Sequence, residues 1–132
     1  MKTLLPEGWP RPSGYANGIL AEGKMMFVAG QIGWTPEGIF ETQDFLGQLR
    51  QTIQNTLDVL AAGGAGPEHI VRMTWYVTDR DEYLANLKGM GAVWRELMGQ
   101  NYPAMACVAV SALMETGAKI EIETTAMLPA EG

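Results

Sequence analysis

The sequence predicts an α+β domain in which two helices pack on one face of a mixed β-sheet. Three observations carry this. Thr42 to Ala62 and the stretch from Asp79 to Met98 repeat apolar residues at three- and four-residue intervals, the period of a helix with one buried face. Short segments rich in β-branched, aromatic and apolar residues flank these two stretches, giving the order β-β-α-β-α-β-β. The chain has 132 residues, 47% hydrophobic and 18% charged, which suits one domain, residues 1–132, with a real core.

Each element follows from local chemistry. Met1 to Gly14 contains Pro6, Pro10 and Pro12, which lack backbone donors, so an irregular lead-in is expected. Gly18–Ala21 and Met25–Ala29 flank the turn-like Glu22-Gly23-Lys24 and read as a hairpin. In the first helix Leu46, Leu49, Ile53, Leu57 and Leu60 form the apolar stripe. Gln48, Arg50, Gln51, Gln54 and Asp58 fill the other side. Thr42 is the expected N-cap and Gly63-Gly64 the stop. Ile70 to Val77 reads as a strand. A single second helix is expected from Asp79, with Glu82 completing a capping-box-like pair. Ala104 to Ala112 and Lys119 to Met127 are the last strands, with Lys119, Glu121 and Glu123 on one face of the latter. Arg72, Thr74 and Tyr76 alternate with Met73, Trp75 and Val77, so both sheet faces carry bulky side chains. Packing against copies of the same chain satisfies such a sheet most simply.

Charge and cysteine count narrow the function classes. The net charge is −6, and the nine basic residues form no run. That disfavours nucleic acid and anionic membranes as partners. Cys107 and His69 are the only Cys and His, too few for a familiar zinc site, and no intrachain disulfide is possible. Only two apolar residues lie between Thr3 and Pro6, short of a secretory signal, and no segment approaches a membrane span. The expected location is the cytoplasm.

Several segments in order resemble the RidA/YjgF family of reactive-intermediate deaminases. They are Gly14-Tyr15-Ala16-Asn17-Gly18, Met26-Phe27-Val28-Ala29-Gly30-Gln31-Ile32, Gln51-Thr52-Ile53-Gln54-Asn55-Thr56-Leu57, Pro103-Ala104-Met105-Ala106-Cys107-Val108 and Lys119-Ile120-Glu121-Ile122-Glu123. The resemblance implies a chorismate-mutase-like α+β fold, a homotrimer around a central barrel, and substrate clefts at the subunit interfaces. It implies hydrolysis of 2-iminoacids to 2-ketoacids and ammonia, with no metal and no organic cofactor. By position, Glu121 would hold and activate the attacking water, and backbone groups near Cys107 would orient the imine. Tyr15 and the backbone around Gly30 would line the pocket. Met105 stands where the family carries an arginine that grips the substrate carboxylate. A thioether cannot pair with an anion, so Met105 favours an imine or enamine whose carboxylate is absent, masked or farther away.

Plainer readings stand beside these. Glu121 is either that catalytic carboxylate or a solvated one paired with Lys119, and Glu123 competes with it from the same face. Cys107 reads as a small buried hydrophobe with any role in its backbone. Tyr15 is a loop anchor or a lid. Arg11, four residues earlier, is a candidate substitute anchor. A non-catalytic trimer that holds a small ligand is the alternative to the deaminase, and a ribonuclease is disfavoured by the acidic charge.

Overall fold

A computed structural model describes residues 1–130. Its elements are β1 (Lys2–Leu4), β2 (Gly18–Leu20), β3 (Lys24–Ile32), α1 (Phe45–Ala62), a 3-10 turn (Pro67–His69), β4 (Ile70–Val77), α2 (Arg80–Ala85), α3 (Leu87–Met98), β5 (Ala104–Ala109) and β6 (Ile120–Leu128). Four strands form one mixed sheet in the order β3-β6-β4-β5, antiparallel except for the parallel β4–β5 pair. β1 and β2 form a separate antiparallel ribbon.

The expected hairpin of Gly18–Ala21 with Met25–Ala29 does not form. The lead-in supplies β2 with its partner instead, Thr3 opposite Ile19, and the prolines sit in the loop between β1 and β2. At the corner, Gly23 has φ +137°, and a Cβ there would run into the Leu128 carbonyl oxygen. The chain turns tightly over the end of β6, and β3 pairs with β6.

α1 starts two residues later than expected. Asp44 is the N-cap, its carboxylate accepting from Gly47 N at 2.9 Å, while Thr42 Oγ1 accepts from Asp44 N. Phe45, Leu49, Ile53 and Leu60 are buried against the sheet, each contributing about 1.5–3 kcal/mol of burial. Gln48, expected on the solvent side, is fully buried. Its amide donates to Gly117 O at 2.8 Å and Thr42 O at 3.1 Å, and its oxygen accepts from Lys119 N at 2.8 Å. Those bonds anchor the approach to β6 on α1.

The second helix is two helices. Asp79 caps α2 as expected, accepting from Glu82 N at 3.1 Å. The Glu82 carboxylate, however, pairs with Lys119 Nζ at 2.7 Å instead of closing a capping box. Asn86 ends α2 and begins α3 with φ −113° and ψ 13°, and its side chain donates to Glu82 O at 2.7 Å. A side-chain amide that competes with the backbone in this way breaks the helix. β5 stops at Ala109, where its partner β4 ends at Val77.

The core lies between the helices and one sheet face, where Met73, Trp75, Val77, Ile120 and Ile122 meet α1 and α3. The opposite face carries no helix. Phe27 is 71% exposed there, and Met25 on the same strand and Val108 at the opposite edge of the sheet are exposed too.

Candidate active site

On the helix-free face, β3 and β6 are out of step by one residue between Val28 and Gln31. Such a bulge re-aims the strand locally, and it carries Gly30. A Cβ at Gly30 would collide with Glu121 Oε2, so the carboxylate lies directly over the bulge backbone. Tyr76, opposite Glu121 on β4, donates its hydroxyl to Glu123 Oε1 at 2.7 Å. That bond, then burial, then the charges of Glu123 and Glu121, hold the Tyr76 phenol above its usual value. Glu123 is therefore engaged by Tyr76, and Lys119 by Glu82. Glu121, half-buried, makes no side-chain hydrogen bond or ion pair among the described residues. It is the carboxylate left available to a water.

Met105 and Cys107 lie on the other face. They stand opposite Met73 and Trp75 in the parallel β4–β5 register and pack against the helix-side core. Met105 lines a cavity of about 450 Å³ together with Tyr15, Trp75, Tyr83, Trp94 and Arg95. The Tyr15 loop reaches this wall because Ala16 bridges to Ala104 and donates its N–H to Pro103 O at 2.9 Å. Ala16 thus ties the loop down, and the Tyr15 ring, 42% exposed, borders the cavity. Cys107 is half-buried, and burial pushes its thiol up while the Tyr83 hydroxyl pulls it back. Burial first, then the Cys107 contact, raises the Tyr83 phenol. Arg11 does not reach this cavity. It lines a neighbouring one of about 480 Å³, with Leu4, Gln100 and Tyr102.

The sequence-predicted residues thus fall into two sets. Glu121 and Gly30 meet on one face, whereas Tyr15, Met105 and Cys107 gather on the other, with the sheet between them. Sequence reading missed Arg95, Tyr83 and Trp94 as cavity residues. The available signal for Arg95 was Gly91 one helical turn earlier.

A mixed sheet with helices on one face and a free carboxylate over a bulge on the other defines an α+β protein with its candidate acid on the helix-free face. Residues 10–128 match the family described as Endoribonuclease L-PSP. A RutC family protein of Pyrococcus horikoshii is 30% identical over 95% of this chain and 96% of its own. The 2-iminobutanoate/2-iminopropanoate deaminase of Salmonella typhimurium is 31% identical over 96% and 97%. The crystal structure of YyfB, a Rid-family protein of Yersinia pestis, superposes with a TM-score of 0.85 at 31% identity, covering 96% of this chain and 98% of that one. The chain belongs to the RidA/YjgF family.

Proposed function

We propose that this protein is a RidA-type deaminase that hydrolyses the C=N bond of an imine, or of the enamine that tautomerises to it, to a carbonyl and ammonia. Glu121 accepts a proton from water as the water oxygen adds to the imine carbon. The resulting carbinolamine takes that proton on nitrogen, the Glu121 carboxylate then accepts the hydroxyl proton as the C–N bond breaks, and ammonia leaves as the carbonyl forms. A protonated imine is already electrophilic, so a positioned carboxylate and correct orientation are sufficient. The observation that carries this reading is the unpaired Glu121 carboxylate over Gly30. The Salmonella relative named as an iminobutanoate deaminase supports the reaction class.

The working unit in this reading is a cytoplasmic homotrimer that needs no cofactor and takes a small-molecule substrate in clefts between copies. The helix-free face with exposed Phe27 supports association. So does the division of the site between two faces of one sheet, because a neighbouring copy can bring a Glu121 face to a Met105 face. Met105, in place of the carboxylate-gripping arginine, alters the substrate specificity. The test generates imines in situ with an amino-acid oxidase and follows ammonia release. Glu121→Gln should reduce the accelerated release by about 10²-fold or more; a variant as fast as wild type refutes the role of Glu121.

The second reading is a non-catalytic ligand-binding trimer, and the aromatic and apolar cavity beside Met105 favours it. It requires thermal stabilisation by ligand with no ammonia released above buffer.

A further inference from the structure

We infer that Arg95, on α3, is the carboxylate-binding residue of the Met105 cavity, and that the substrates are imino acids with a large apolar or aromatic side group. This rests on the deaminase reading for the reaction and on the cavity for the binding.

Arg95 is the one charged residue in the cavity lining. The remainder is mostly aromatic or apolar, with Trp75, Tyr83, Trp94, Tyr102 and Met105 prominent. In a chain of net charge −6, this is a local site for an anion. Its guanidinium has no ion-pair partner among the described residues, although the adjacent Glu96 is held by Arg50. The residues three and four positions away, Ala92, Gly91 and Met98 on α3 and Gly99 just past its end, carry no acid. Gly91 lets Arg95 lie along the helix: a Cβ at 91 would sit 3.2 Å from Arg95 Nη1, so any side chain there would crowd the guanidinium. The cavity wall is free of carboxylates.

A planar guanidinium pairs a carboxylate with two parallel bonds. Moving that grip from strand β5 to helix α3 shifts the carboxylate toward the helix. The space beside Met105 then receives the substrate's side group, against a flexible thioether and aromatic rings.

The test titrates phenylpyruvate, a stable 2-oxo acid, and phenylacetone, which keeps the ring and ketone but has no carboxylate, by calorimetry. Arg95→Ala should weaken phenylpyruvate at least about tenfold while changing phenylacetone less than about twofold. Adding Met105→Arg to that variant should restore phenylpyruvate binding, which a purely structural role for Arg95 would not produce. With the imine made from phenylalanine, Arg95→Ala should raise KM more than it lowers kcat. Wild-type phenylpyruvate affinity in Arg95→Ala, or equal binding of the two probes by the wild type, overturns the assignment. Ammonia release by the wild type no faster than in buffer overturns the deaminase reading instead, and undiminished turnover in Glu121→Gln refutes the role of Glu121; both leave Arg95-dependent binding intact.

Discussion

The Glu121 carboxylate occupies the space above Gly30 that any side chain at position 30 would take. Gly30→Ala must therefore displace the carboxylate without touching its chemistry. The expected result is a folded protein whose ammonia release falls about tenfold or more, since misplacement of a reacting group by roughly an ångström costs up to about 10² in rate. Circular dichroism and the imine assay on the same sample check it, and full activity in the alanine variant refutes it.

Gln48 satisfies three backbone groups from a fully buried position. Gln48→Leu keeps the volume but strands Lys119 N–H and removes the side-chain donor to Thr42 C=O, while Gly117 C=O keeps the Gln43 amide at 3.4 Å. A loss of about 2–4 kcal/mol in urea unfolding is expected, from about 1–3 kcal/mol per orphaned buried group. An unchanged midpoint would mean that those groups find other partners.

Cys107 and Tyr83 both have acidities weakened chiefly by burial. Each folded-state pKa lies above its unfolded value. Their stabilising contribution is therefore complete below the ordinary thiol value of 9.0, and it is lost as pH rises through the folded values. Stability should decline above that point, and less so in a Cys107→Ser, Tyr83→Phe double variant. Alkylation of Cys107 by iodoacetamide near pH 8 should be slower in the native protein than in urea; equal rates contradict the burial.

The exposed Phe27 marks the face proposed to associate. Sedimentation should give a mass of three chains for the wild type, and Phe27→Glu should shift it toward one. A wild-type monomer at micromolar concentration overturns the trimer.

The periodicities of Leu49, Ile53 and Leu60 in α1 and of Met73, Trp75 and Val77 in β4 were legible because each reports which side faces the core. Gln48 broke the pattern because a buried amide is tolerable wherever backbone groups surround it, and those belong to Gly117 and Lys119, far away in sequence. The pairing of β2 with β1 was invisible for the same reason: a nearby turn suggested the local hairpin, but the lead-in supplied the partner. Asp79 was readable as a cap. The break at Asn86 was not, because nothing local separates an asparagine that bonds back to Glu82 from one facing solvent. At the site, Glu121 stood out only through family resemblance. Its freedom from Lys119 emerged once Glu82 was seen to claim that lysine. Arg95 went unnoticed because an exposed arginine on a helix ordinarily signifies solubility alone.

The sheet stands as a partition between Glu121 and the pocket bordered by Tyr15 and Arg95. In the proposed assembly, therefore, no chain serves itself: each lends its acid next door and receives one in return. Two defective proteins, one lacking the Glu121 carboxylate and the other the Arg95 guanidinium, should recover activity when unfolded together and allowed to reassemble. Some mixed assemblies would then join an intact half from each parent, whereas either variant refolded by itself would keep only its own reduced activity.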